Sequence, residues 1–176
     1  MEIRSAEKGD LDAISDIFDA ARLFMSESGN PHQWTADYPG RRDAKRDIRR
    51  GTQFVCTDEG KVVGCFDFEP GPEPYYRVLE EGQWLNKFDY FVIHRFAVLH
   101  SSRGIGRTML DWACHSSNNI RVDTHKDNVP MQALLKRFGF VRCGIVRLPR
   151  GGFRVVYHYA RPDERPTKEG MRAWLC

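Results

Sequence analysis

Residues 101 to 107 read Ser101, Ser102, Arg103, Gly104, Ile105, Gly106 and Arg107, placing two glycines and two arginines between a β-branched run and a helix-like run. Glycines let a backbone turn tightly and come close to a ligand, and the N–H groups at a helix start face an anion. A phosphate or pyrophosphate is the natural occupant of such a turn. The segment lacks the GxxxxGK[ST] spacing of a nucleotidase loop and the third glycine of a dinucleotide fingerprint, which disfavours ATP and NAD. Asp123, Thr124 and His125 offer one carboxylate and one imidazole without a third ligand. They read as hydrogen-bonded strand-end residues, and no metal site is expected.

The turn SSRGIG, behind a central strand, resembles the Q/R-x-x-G-x-G/A signature with which the GNAT N-acetyltransferases bind acetyl-CoA. Gly104 and Gly106 match, and Ser101 stands where Gln or Arg is usual. Asn128, Met131, Leu134, Leu135, Phe138, Gly139 and Phe140 resemble the family's N-x-x-A-x-x-L-Y-x-x-x-G-F helix, in the expected order along the chain. The resemblance implies an acetyltransferase domain over residues 1 to 160, a tail over 161 to 176, and acetyl-CoA as cosubstrate. It implies that the backbone of Ala97 and Val98 pairs with the pantetheine arm and polarises the thioester carbonyl. Arg103, Gly104, Ile105, Gly106 and Arg107 would hold the pyrophosphate, and Asn128 would hydrogen-bond the cofactor arm.

Acetylating an amine needs a base, because an alkyl amine of pKa about 10 leaves about one molecule in a thousand neutral at pH 7. His94, four residues before Val98, shares a strand face with Val92 and Phe96 by alternation. Members of the resembling family place a histidine there to remove the amine proton, so His94 is the candidate base, with a buried core histidine as the alternative. Strand N–H groups would meet the developing oxyanion. The usual tyrosine acid is replaced by Leu135, which cannot donate; Cys143, Tyr157 and Tyr159 are candidate substitutes. Trp34, Tyr38, Trp84 and Tyr90, with Tyr75 and Tyr76, lie in the regions that form the family's acceptor site. With Glu69, Glu73 and Glu80 they suggest an aromatic, acidic pocket for an ammonium group. The expected function is acetyl transfer to a primary amine of a small molecule or peptide; the alternative is a non-catalytic acyl-CoA binding or sensing protein.

These residues require a mixed α/β scaffold to position them. Asp10 precedes Leu11, Ile14, Phe18, Ala21 and Met25, the pattern of a capped amphipathic helix. The basic stretch 41 to 50 forms a second helix ending near Gly51. Strands at 53 to 57 and 61 to 68 join through the Asp58, Glu59, Gly60 hairpin signal. The Pro-rich EPGPEP, residues 69 to 74, cannot continue a central strand and opens a long excursion that returns at Tyr90. Residues 90 to 99 form a central strand, followed by the glycine turn and a helix. A strand near 120 to 123, a helix from 129 to 138 closed by Gly139, and strands at 141 to 147 and 153 to 159 complete the order. The expected fold is a single α/β domain with a central mixed, twisted sheet of about seven strands and about four helices.

Composition is that of one soluble domain: 176 residues, 41% hydrophobic and 29% charged, with no apolar run long enough to span a membrane. Five cysteines without a CxxC pair argue against a disulfide framework or zinc ribbon. With no signal peptide apparent at the N-terminus, a cytoplasmic location is expected. The net charge is +3, and residues 41 to 50 hold six basic and two acidic side chains, so the rest of the chain sums to −1 and nucleic acid is not an expected partner. Trp174 and Leu175, apolar in a charged tail, are candidates for a homodimer surface.

Overall fold

The computed structural model describes residues 1–99, 104–149 and 151–161. The expectations for Arg103, for the rest of the tail and for Trp174 and Leu175 lie outside the described residues. The chain gathers into two compact units, one of Met1–Phe68 with His94–Trp112, the other of Glu69–Ile93 with the chain from Ala113.

In the first unit, β1 (Glu2–Ser5), β2 (Gln53–Asp58) and β3 (Lys61–Pro70) form antiparallel pairs. The hairpin expectation holds: Asp58 pairs with Lys61, and Glu59 and Gly60 take φ of 48° and 77°. Two left-handed residues give the turn a twist that matches its strands. β3 runs to Pro70 rather than Phe68, because its pairing with β2 has ended by then and proline withholds no bond on that side. α1 (Leu11–Glu27) buries Ile14, Ile17, Phe18 and Met25, spaced as one helical face. Ile14, Ile17 and Phe18 pack with Ala44, Val55, Cys65 and Ala97.

Asp10 does not cap α1 with its side chain. The chain already turns helically at Lys8–Asp10, so the carboxylate points backward, accepting from the Glu7 N–H at 2.7 Å and from both Arg4 terminal nitrogens at 2.7 and 2.9 Å. α2 (Arg41–Arg50) forms as expected, with Gly51 left-handed at its end. Arg46 folds onto Asp43 and Asp47, and Arg41 pairs with Asp12, so part of the basic run is neutralised within the unit.

In the second unit, β5 (Phe91–Val98) begins and pairs in parallel with β6 (Asn119–Thr124). β6 pairs with β8 (Phe153–Ala160), which pairs with β7 (Val141–Arg147). α4 (Val129–Arg137) ends in the expected Schellman geometry: the Phe140 N–H bonds Leu135 O and the Gly139 N–H bonds Lys136 O, both at 3.1 Å, with Gly139 at φ 80°.

Eight strands are described, in the order β1-β2-β3-β5-β6-β8-β7-β4, rather than about seven. The additional one, β4 (Glu81–Gly82), pairs with Ile145 and Gly144 of β7. A two-residue strand has no alternation to read. It depends on two glycines, since a Cβ on Gly82 would lie 1.9 Å from Cys143 O and one on Gly144 would lie 1.7 Å from Glu81 O. Four α-helices are described, as expected; the remaining one is α3 (Ile105–Ser116).

Gly64 of β3 admits the start of α3 to the sheet. A Cβ there would come within 2.6 Å of Met109 Sδ, 2.9 Å of Ile105 Cγ2 and 3.3 Å of Ala97 O. Met109 can shift, but Ile105 is buried and branched beside its own backbone. We expect Gly64→Ala to cost about 1–3 kcal/mol by overpacking. Chemical denaturation that shows unchanged stability would contradict this close approach.

Candidate active site

His94 lies half-buried on β5. Arg95, next to it, has φ 50°, so the strict two-residue alternation on which the face of His94 relative to Phe96 was inferred is interrupted there. Ala97 is buried in the first unit's core, and Val98 is half-buried. Gly104 is exposed and left-handed at φ 73°, and among the described residues a Cβ on it would meet nothing within 4 Å. Its carbonyl accepts from the Thr108 N–H at 3.0 Å, so Gly104 is the residue from which α3 starts.

The N–H groups of a helix's first turn have no acceptor within the helix, and its N-terminus carries partial positive charge. α3 has no acidic side chain in that turn, and Arg107 is exposed on it. A left-handed glycine with no described residue close to it, a first helical turn without acidic side chains and a cation together fit an anion. Gly106 lies within the first turn. Ile105 is different: its side chain is core, so only its backbone is left to meet a ligand.

In the second unit, β6 carries polar residues at every second position, Asn119, Arg121 and Asp123. The excursion from Glu69 to Tyr90 supplies their partners. The Arg121 guanidinium lies 4.1 Å from the Trp84 ring centroid and 3.8 Å from that of Tyr90, and donates to Asn86 O at 2.9 Å. Asn119 and Asn86 exchange two hydrogen bonds, the Nδ2 of each donating to the Oδ1 of the other, at 3.0 and 3.1 Å. Asp123 Oδ1 accepts from the Tyr75 and Tyr76 hydroxyls at 3.1 and 2.7 Å, and burial with the Asp123 charge holds the Tyr76 phenol far above its usual pKa.

His158 of β8 completes the cluster. Its Nδ1 accepts from the Leu85 N–H at 3.2 Å, which leaves Nε2–H to donate to Asn119 Oδ1 at 2.7 Å. Burial, with Arg121 nearby, pulls its pKa down to about 3.

The expected ammonium pocket is therefore revised. Trp84 and Tyr90 do clasp a cation, but it is Arg121 of the same unit, because a buried guanidinium lost from water is stabilised by ring faces. Trp34 packs edge-on against Phe18 at 5.8 Å. Of the four acceptor candidates only Tyr38 is exposed, at 38%.

Asn128 is the N-cap of α4, its Oδ1 accepting from the Met131 N–H at 3.1 Å, a role that the sequence reading did not give it. Leu135 is fully buried. Among the candidate acids, Tyr157 donates to Gln132 Oε1 at 2.9 Å and Cys143 sits in an apolar cluster; burial raises both pKa values. Tyr159 packs on Phe140, its hydroxyl accepting from Arg161 Nε at 2.8 Å. Asp123 is hydrogen-bonded as expected.

Sequence reasoning missed Arg95, Gly64, Asn119, Arg121 and His158. The polar alternation of β6 was the one available signal, since a central strand with a polar face requires a polar cover.

A family model described as "Acetyltransferase (GNAT) family" matches residues 14–140. Among solved structures, the chain is similar to an acetyltransferase of the GNAT family from Streptococcus agalactiae, with 30% identity and a TM-score of 0.85 over 92% of this chain and 96% of that one. A GNAT-family acetyltransferase from Listeria monocytogenes matches at 22% identity and TM-score 0.64, over 89% of this chain and 92% of that one. A ribosomal-protein-alanine N-acetyltransferase from Brucella melitensis matches at 20% and 0.61, over 92% and 100%, a likeness of fold alone. No curated protein matches the chain. Among the described residues, no helix is long and apolar enough to cross a membrane.

Proposed function

Because the chain belongs to the GNAT acetyltransferase family, we propose that it moves an acetyl group from acetyl-CoA to a primary amine of a small molecule or peptide by direct attack. The observation that carries the reading is the start of α3, where left-handed Gly104, with no described residue within 4 Å of where its Cβ would be, leads into a first turn without acidic side chains. Acetyl-CoA supplies an activated thioester. The backbone N–H groups of Gly104, Ile105, Gly106 and Arg107, with the Arg107 side chain, hold its pyrophosphate. The Ala97 and Val98 backbone holds the arm and draws electron density toward the acyl oxygen. Asn128 supports the arm from α4, within the limits of its capping bond.

His94 takes the proton from the amine, directly or through water. The neutral nitrogen bonds to the acyl carbon as the carbonyl electron pair moves onto oxygen; that pair then returns, the carbon–sulfur bond breaks, the sulfur leaves as thiolate, and the extra proton left on nitrogen passes to the thiolate or to water. A thiol of pKa about 8.5 leaves readily, so the absence of a donor at Leu135 slows departure without forbidding it. Buried Leu135 also favours a second reading, acyl-CoA binding or sensing without turnover. Release of free CoA with any amine separates the two.

The test is thermal unfolding with and without acetyl-CoA, with ATP and NAD as controls. Saturation at about 100 times the dissociation constant stabilises by about 2.7 kcal/mol. We expect a shift of several degrees for acetyl-CoA alone, abolished in Gly104→Glu, whose side chain brings bulk and negative charge to the anion's place. Gly104→Glu that folds and keeps its acetyl-CoA affinity would overturn the pyrophosphate assignment.

A further inference from the structure

Arg95 holds φ 50° inside β5 although it carries a long side chain. L-residues rarely adopt that conformation, and it persists where the surroundings over-determine it, often at functional positions. Here the surroundings are three segments of the first unit. Nη2 lies 2.8 Å from Asp47 Oδ2 of α2 and 2.7 Å from Asp67 Oδ2 of β3, and Nη1 donates to the Tyr38 hydroxyl at 3.3 Å. Both carboxylates are fully buried and the guanidinium is only 8% exposed. Burial works against its charge, but Asp67, Tyr38 and Asp47 outweigh burial and hold the pKa above the ordinary value. The planar fork is what lets one cation meet three partners; a lysine nitrogen is a point charge.

His94 immediately precedes this residue, and Ala97 and Val98 follow it by two and three positions. A left-handed residue redirects the peptide groups after it, so whatever fixes Arg95 also fixes how that stretch of β5 is aimed. We propose that Arg95 is a positioning residue, its grip on Asp47, Asp67 and Tyr38 setting the turn that aims the Ala97 and Val98 peptides at the acyl-CoA arm. The inference rests on the arm-binding role given to those peptides under the proposed function. It also ties the segment of Tyr38, the exposed acceptor candidate, to the strand of the candidate base.

Calorimetric titration of acetyl-CoA into wild type, Arg95→Lys, Tyr38→Phe and Arg4→Lys, with the Tm of each, tests it. Arg4→Lys is the control for a structural ion pair, since Arg4 grips Asp10 in the same unit away from β5. Arg95→Lys is expected to bind acetyl-CoA about tenfold more weakly and Tyr38→Phe about threefold, the scale of one lost hydrogen bond. Arg4→Lys is expected to lose Tm and keep its affinity. If Arg95→Lys does not fold, Tyr38→Phe decides alone, because it removes one hydroxyl from a partly exposed ring. Wild-type affinity in the folded variants, or an equal loss in Arg4→Lys, overturns the positioning role while the proposed function stands. A wild-type protein without affinity for acetyl-CoA removes both.

Discussion

His94→Ala should lower kcat for amine acetylation at pH 7 by about 10²- to 10⁴-fold, the range that a positioned base contributes, and leave acetyl-CoA affinity unchanged. The substrate amine is mostly ammonium at neutral pH, and its lone pair is unavailable until a proton leaves. Without the imidazole the reaction must draw on the neutral fraction already in solution. That fraction rises about tenfold per pH unit up to the amine's pKa of about 10, so the variant's rate should rise with it and the gap to wild type should narrow between pH 7 and 10. A His94→Ala rate within about threefold of wild type, where a positioned base contributes about a hundredfold or more, would return His94 to the core. A constant gap across pH would mean that it orients substrate rather than accepts a proton.

Stability should fall with acidity through His158. Its pKa of about 3 in the folded protein lies below the ordinary 6.5, so the folded state resists the proton that the unfolded chain accepts. The contribution is complete above pH 6.5 and is lost as pH falls from there toward 3, at up to about 1.4 kcal/mol per pH unit. Protonation would put a second positive charge beside Arg121 and destroy the Nδ1 lone pair that accepts the Leu85 N–H. Comparing urea unfolding of wild type and His158→Gln at pH 7 and pH 4.5 isolates the effect, because glutamine does not titrate and the carboxylates are common to both. Wild type should lose about 2–3 kcal/mol more than the variant across that interval. Parallel losses would show that the ring is reached by solvent and protonates without resistance.

How much of this was legible beforehand follows from the range of the interactions. The β2–β3 hairpin was, because Glu59 and Gly60 carry the left-handed turn within themselves. The α4 ending was, because the Leu135, Lys136, Gly139 and Phe140 backbones close on one another over one turn. Helix faces and most strand positions followed from period, and the glycine turn before α3 from its residue types. Asp10 misled because its carboxylate was taken for a helix cap when Arg4 and the Glu7 N–H were its partners. β4 was hidden because its two residues owe their strand geometry to Gly144, far along the chain.

The sequence by itself determined the local elements, the family resemblance and a list of residues capable of acetyl transfer. The tertiary structure decided which of them are occupied elsewhere. It gave Trp84 and Tyr90 to Arg121, and it brought Asp47, Asp67 and Tyr38 to Arg95, a residue that the list did not contain. The physical reason is that hydrogen bonds within a turn are fixed by neighbours in the chain, whereas a buried charge takes the partners that folding brings within about 3 to 4 Å, and those partners can come from anywhere in the sequence.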